Sequence, residues 1–450
     1  MKKEISKEEL FERMPVTKAI FTLTIPMIIT SVISIIYNLS DTYFVGILNN
    51  PVQNAAVTLV APAMTLFYAV TNLFGIGGSS LMSRKLGQKE YDKVEKASAT
   101  ALYFGLFFAI LLSVVTLVFS NGMLNILGSS GETYEITKQY LFWTVGLGAV
   151  PGIMNLLIGF LLRAEGRSFL ASIGNITGCI LNIILDPFFI LPFGLNLGAA
   201  GAGCATFISN CIASVYFLVL LRRLKGKTYV SFNPKKVSFE REILRNIFVV
   251  GIPGVFQNLL NVVSMTIFNN LANGFGTDAV ASIGIVNKLN QIPIQVIFGF
   301  SQGVMPLIGY NYASKNHPRM KEVIKKTFAI TFSCLTVIIF VNLFMSDALV
   351  RFFMNNDSIV YIGSRFLKIA ALSFPFMSID FIVVGISQSF GIGKCALIFS
   401  ILRKAVFEIP LLFIFSNIFG LFGLSFCSFV GEIVMSIIAG FVLRHLIKKI

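Results

Sequence analysis

Asp41, Asp186, Lys288, Asp380, Arg403, Lys404, Glu408 and Glu432 all lie inside long apolar stretches of this 450-residue chain. An ionisable group in such a place is expensive to desolvate and is functional by default. Asp41 closes the segment Tyr37-Asn38-Leu39-Ser40-Asp41. On a helix, Tyr37 and Asn38 share its face, being four and three residues back. Asp186 follows Asn182 by four residues and precedes Pro187, whose ring frees a carbonyl one turn earlier. Two carboxylates, two amides and a hydroxyl or two form a hard-oxygen set. Such a set can hold Na⁺. It can equally share a proton, because like charges in a desolvated site cannot both stay ionised cheaply. The plainer alternative is that each acid is merely solvated near the outer end of its helix. Their occurrence together in one half of the chain favours a site.

The remaining charges read differently. Lys404 and Glu408 are four apart and neutralise each other along one helix. Arg403 points elsewhere, with Asp380 or Glu432 as candidate partners. Asp380 and Gln388 share one apolar run and suit either a cationic substrate or an ordinary interhelix hydrogen bond. Glu432 is undecided in the same way, and Lys288 either pairs with it or reaches a cavity.

The elements that must position these residues are twelve apolar runs, at about 17–45, 55–83, 97–119, 139–162, 168–191, 199–221, 246–273, 279–312, 327–346, 359–390, 394–419 and 421–443. The chain is 55% apolar and 13% charged, with a mean hydropathy of +0.81. Soluble proteins carry about 25% charged residues. A bilayer core takes about 20 apolar residues per helix, and only helices or closed barrels satisfy their backbone there. These runs are too long for barrel strands, so the expected fold is an all-α membrane protein with twelve transmembrane helices.

Basic residues fall on every second gap between runs. The sets are Lys2, Lys3, Lys7, Arg13 and Lys18; Arg84, Lys85, Lys89, Lys93 and Lys96; Arg163 and Arg167; the stretch from Arg222 to Arg245; Lys315 to Lys326; Lys394; and Arg444, Lys448 and Lys449. Lys/Arg excess marks the cytoplasmic side, which puts both termini inside. The net charge of +15 then needs no partner beyond anionic lipid, and no nucleic acid is expected, since the charges are spread over separate loops. The six cysteines lie in or beside apolar runs without a C-x-x-C pair, which disfavours disulfides and zinc. The first 16 residues suggest a short amphipathic cytoplasmic helix rather than a cleaved signal.

The chain also repeats itself. Ile25-Pro26 matches Ile252-Pro253, Phe74-Gly75 matches Phe298-Gly299, Gly87-Gln88-Lys89 matches Ala313-Ser314-Lys315, and Pro151 matches Pro375, at offsets between 224 and 227. Six spans per half make a parallel repeat, with binding expected near the midplane. The units are an N-terminal segment at 1–16, an N-lobe at 17–221, a charged linker at 222–245 with little to bury, a C-lobe at 246–443, and a tail at 444–450.

Several segments together resemble the multidrug and toxic compound extrusion (MATE) family. They are Ile25-Pro26, Tyr37 to Gly46 (YNLSDTYFVG), Ser83-Arg84-Lys85-Leu86-Gly87, Leu162-Arg163-Ala164-Glu165-Gly166, Leu181 to Pro187 (LNIILDP), Gly309-Tyr310-Asn311-Tyr312-Ala313 and Ile386-Ser387-Gln388. The resemblance runs from about residue 15 to 445 and is closest to the prokaryotic DinF-type branch with its MepA-like exporters. It implies two six-helix lobes in a V, and Na⁺- or H⁺-driven export of bulky, often cationic compounds. It further implies a monomer in a bacterial cytoplasmic membrane, with no cofactor beyond the coupling ion. The branch's N-lobe cation site maps onto Asp41, Asn182 and Asp186, with Thr206 as the hydroxyl. In the NorM-type branch a helix-seven glutamate serves a C-lobe site; Gln257 stands at the comparable place here, which argues against such a site. Gln257, Lys288, Asp380, Gln388, Arg403 and Glu432 are the candidates for the substrate cavity. Glu408 departs from the apolar residues of this branch.

Two other functions compete. A flippase of lipid-linked saccharides shares the wider architecture but tends to carry several cationic cavity residues, whereas the intramembrane set here has at least as many acids. An intramembrane transferase would need a paired-acid loop or a histidine cluster, and the chain has only His317 and His445. The absence of a G-x-x-x-x-G-K-[ST] loop argues against a primary pump, so no enzymatic activity is expected.

Overall fold

The computed structural model describes residues 6–448; Lys2, Lys3, Glu4 and Lys449 lie outside the described residues. The described chain is helical almost throughout. We label the spans α1 (Val16–Ile47), α2 (Pro51–Gly87), α3 (Tyr91–Val118), α4 (Thr133–Leu147 and Ala149–Ala164, bent by 45°), α5 (Ser168–Ile190) and α6 (Ala199–Arg223). The second half gives α7 (Arg241–Asn273), α8 (Thr277–Ala313), α9 (His317–Phe353), α10 (Asp357–Ser389), α11 (393–419) and α12 (Gly423–Lys448).

Length and apolarity alone give ten spanning helices, or eleven with the bent pair taken as one. The last of these, Gly393–Lys448, has 56 residues. A straight helix of that length would run about 84 Å, nearly three hydrocarbon cores. Gly420 breaks it, with φ of 59° in the left-handed region, and α12 folds back against the end of α11. Separating the two gives the twelve spans read from the sequence.

The packing of the first six helices recurs in the second six. In the N-lobe α1 packs on α5, α2 on α3 and α4, and α5 on α6; in the C-lobe α7 packs on α11, α8 on α9 and α10, and α11 on α12. The lobes meet through α1 with α8 and α2 with α7, so each lobe lends its first two helices to the seam.

The close approaches across this seam gather on the half nearest the basic loops. A side chain at Gly251 would run into the Leu73 carbonyl, and one at Gly77 into the Ile247 carbonyl. Such backbone contact is what glycine permits between membrane helices. Ser80 Oγ donates to the Gln388 carbonyl at 2.5 Å, and Arg84 reaches Asn246 Oδ1 at 3.2 Å. Residues 299–311 of α8 are buried without interruption.

Two segments on the basic face differ from expectation. The N-terminal segment is the short amphipathic helix expected, but its apolar face is docked on the protein. Glu9–Arg13 forms a π-helical turn with Leu10, Phe11 and Met14 buried. Phe11 stacks on Tyr310 at 4.8 Å, Tyr310 donates to Glu12 at 2.6 Å, and Arg319 donates to the Phe11 and Met14 carbonyls at 2.8 and 2.6 Å. Lys7 meets Glu165 at 2.8 Å. The segment thus straps the C-lobe to the N-lobe. The linker is also seated rather than free. Val230 and Ser238 are buried, Ser98 and Tyr103 donate to the Tyr229 and Phe232 carbonyls, and Lys236 pairs with Asp92 at 2.6 Å. Its apolar residues and backbone acceptors find partners on α3 that charge counting does not reveal.

Candidate functional site

The seam opens away from the basic half into a cavity of about 700 Å³ lined by both lobes. On its N-lobe side, α1 supplies Tyr37 and Asn38, α5 Asn182 and α6 Thr206 to the lining, with Asp41 of α1 and Asp186 of α5 behind them. With the Asn182 amide turned to satisfy both its ends, its nitrogen lies 3.2 Å from Asp41 Oδ1 and 3.2 Å from Asp186 Oδ2. Its oxygen accepts from Thr206 Oγ1 at 3.1 Å and from the Thr206 backbone N–H at 3.0 Å. Tyr37 Oη is 3.4 Å from Thr206 Oγ1. One amide therefore ties three helices together and donates to both carboxylates.

Asp186 is 0% exposed and Asp41 8%. Asp186 Oδ1 has no hydrogen-bond partner. Among the described residues no Lys or Arg pairs with either acid. Tyr37, Asn182 and Thr206 line the cavity and stand between it and the acids. Asn38 also lines the cavity, but it is exposed and donates to the Ser34 carbonyl at 2.8 Å, away from the acids.

The C-lobe is built differently. Arg403 donates to Glu432 Oε1 from Nε at 2.9 Å and from a terminal nitrogen at 2.6 Å, and its other end is 3.7 Å from Asp380. Its guanidinium also lies over the Phe381 ring at 4.5 Å. Lys404 pairs with Glu408 at 2.6 Å, and Ser264 on α7 donates to the same carboxylate at 2.5 Å. Residues Leu402–Glu408 form a π-helical stretch. π-bulges of this kind concentrate at functional sites.

The cavity candidates divide. Gln257, Asp380, Gln388 and Arg403 line it. Glu432 lies behind Arg403 rather than on the lining. Lys288 is exposed and separate from the lining, and Arg403 takes the Glu432 partnership proposed for it. Gln388 accepts from Gln302 at 3.3 Å. Among the described residues the charged lining is Arg163, Asp380, Arg403 and Lys404. This lining is richer in base than the intramembrane count suggested, because Asp41, Asp186, Glu408 and Glu432 sit behind it.

Sequence reasoning missed Arg163. It was counted with the basic loop after run four, but α4 continues to Ala164 and carries it into the cavity wall. It also missed the amides Asn155, Asn175 and Asn210, which share that wall. The signal was available in Asn155, eight residues before Arg163 and so on nearly the same helical face.

The MatE family model matches residues 26–188 and again 253–414, once in each half. The multidrug export protein MepA of Staphylococcus haemolyticus (strain JCSC1435) is 35% identical over 445 residues, covering 98% of this chain and 96% of that protein. MepA of Staphylococcus aureus (strain MSSA476) is 34% identical over 423 residues, covering 94% and 92%. Among solved structures, the outward-facing conformation of a multidrug resistance MATE family transporter of the MOP superfamily superposes with a TM-score of 0.93 at 25% identity, over 99% of both chains.

Proposed function

The chain belongs to the MatE family, and we propose on that footing that it is a secondary multidrug exporter whose coupling ion binds at Asp41 and Asp186. It is a multi-pass membrane protein that moves small amphiphilic molecules rather than transforming them. The basic face is cytoplasmic, by the Lys/Arg rule, and the cavity opens to the outside. The chain works as a monomer in a bacterial cell membrane.

The observation that carries this reading is a pair of buried carboxylates sharing one amide, behind a substrate-sized cavity, with no fixed cation. Burying unpaired negative charge costs several kcal/mol, so the site calls for a mobile positive partner. An ion drives transport only through different affinities for the two conformations. The Asn182 orientation that satisfies every partner points its N–H groups at the acids, so we take H⁺, shared within the pair, as that ion. Na⁺ would need the amide reversed, its oxygen toward the acids and its nitrogen donating to Thr206 Oγ1 at 3.1 Å. In the protonated state one carboxyl can donate within the pair; once ionised, the two acids repel.

The test is efflux of a fluorescent cation from vesicles with pH and Na⁺ gradients imposed separately. The pH gradient should drive wild type, and Asp41→Asn and Asp186→Asn should each fall to background while remaining folded and inserted. Wild-type rates in both variants would remove the N-lobe site from the mechanism. Efflux driven only by Na⁺ would keep the site and overturn the choice of proton.

A further inference from the structure

Arg163 is 7% exposed, lines the cavity, and has no hydrogen-bond partner at Nε. Among the described residues no carboxylate lies within ion-pair distance of it; the Phe160 ring lies 5.8 Å from the guanidinium carbon. Arg403 shows how the same side chain is treated across the cavity, where two acids surround it. Beside Arg163 stands Asn175, 8% exposed and also in the lining. A methyl group placed on Gly159 would lie 3.2 Å from Asn175 Nδ2 and 3.5 Å from a terminal Arg163 nitrogen. The two side chains therefore meet over Gly159, and both are part of the cavity lining.

A buried guanidinium without a counter-ion is destabilising by several kcal/mol unless something answers it. Its planar fork suits a carboxylate held by two parallel bonds. Phe160 and Ile76, in the same wall, supply apolar surface beside the fork.

We propose that Arg163 and Asn175 form a subsite for the carboxylate of an amphiphilic substrate. A carboxylate-bearing substrate then gains an interaction there that its esterified, purely cationic counterpart lacks. The proposal rests on the exporter reading for its setting but not on the coupling site, which lies elsewhere in the N-lobe.

The test uses equilibrium binding of rhodamine B, which carries a free carboxylate, and of its methyl ester, to the purified full-length protein in neutral detergent. No gradient is involved, so failure here leaves the coupling experiment untouched. Wild type should bind the acid about tenfold or more tighter than the ester, the ratio that one hydrogen bond to a charged group supplies. Arg163→Gln should weaken the acid about tenfold or more and leave the ester within about twofold. Arg163→Lys should recover part of the loss, because it keeps charge and loses the fork. Asn175→Ala should give a smaller loss for the acid alone. Parallel weakening of both dyes in Arg163→Gln would make the residue structural and overturn the proposal. Should that variant not insert, the wild-type pair still decides: equal binding of acid and ester, or preference for the ester, refutes it.

Discussion

Both lobes bury carboxylates, but only one supplies them with permanent cations. In the N-lobe, Asp41 and Asp186 converge on the neutral amide of Asn182. In the C-lobe, Asp380 and Glu432 flank Arg403, and Glu408 is held by Lys404 and Ser264. The two arrangements sit in the two halves of a repeated fold and are built oppositely. A carboxylate with its own arginine is spoken for and serves as an internal strut. A carboxylate pair without one must draw its positive charge from solution, which is the requirement for coupling. The difference also explains why charge counts in the two halves mislead: the half with fewer intramembrane charges holds the carboxylates that no Lys or Arg among the described residues answers, the pair we propose for coupling.

The sharpest break of this comparison is Arg403→Met. It leaves two buried acids unanswered and should cost about 3–5 kcal/mol, seen as a large fall in the thermal midpoint of the purified protein. Asp186→Asn should leave that midpoint near or above wild type, because it removes one of two like charges. Equal melting behaviour for the two variants would erase the distinction between the lobes.

Asn182→Leu comes next. It removes the donor shared by the two acids, at about 1.5–3 kcal/mol, and should weaken efflux and stability together. A stable variant with intact transport would mean that the amide is incidental. Glu408→Gln should be milder, about 1 kcal/mol, since Ser264 keeps an acceptor and the Lys404 pair is partly solvated; a double-mutant cycle with Lys404→Met measures it.

The smallest effect concerns the linker. The hydrogen bond from Lys96 holds Glu240 below its usual carboxylate range, and that to Asp92 raises Lys236 above the usual lysine range. The Glu240 contribution is present above the ordinary 4.5 and fades as pH falls through the lowered folded value. The Lys236 contribution is present below the ordinary 10.5 and fades as pH rises through the raised value. Linker proteolysis should therefore be slow and flat between about pH 5 and about pH 10. Lys236→Ala should speed it by no more than a few-fold, as expected for exposed ion pairs. Rapid cleavage of wild type across that range would restore the picture of a free linker.

How much of this could be read from residues alone depended on whether a rule was local. The spans are legible because apolar length is a property of consecutive residues. The Asp41 and Asp186 faces are legible because helical spacing fixes them. That Asn182 joins the two acids depends on how α1, α5 and α6 pack, which spacing does not contain; Thr206 entered only through family resemblance. Arg163 escapes the rule of apolar length because the helix runs two residues past the apolar run, to Ala164. Lys288 was misplaced because an isolated charge in a span carries no sign of which neighbour it faces. The π-helical stretch at Leu402–Glu408 has no motif of its own. It alters which side chains share a face, so a helix-based reading of Arg403 could name both partners without choosing between them.

The strap formed by Phe11, Glu12 and Met14 has a consequence for rates. It joins α1 through Pro15 alone, so it behaves as a ligand tethered beside its own site. Its effective concentration is of millimolar order or higher, and dilution never removes it. Any rearrangement that parts the lobes on the basic face must first release the Arg319 bonds to the Phe11 and Met14 carbonyls and unstack Phe11 from Tyr310. Reclosure of that face is therefore an intramolecular step, independent of protein concentration.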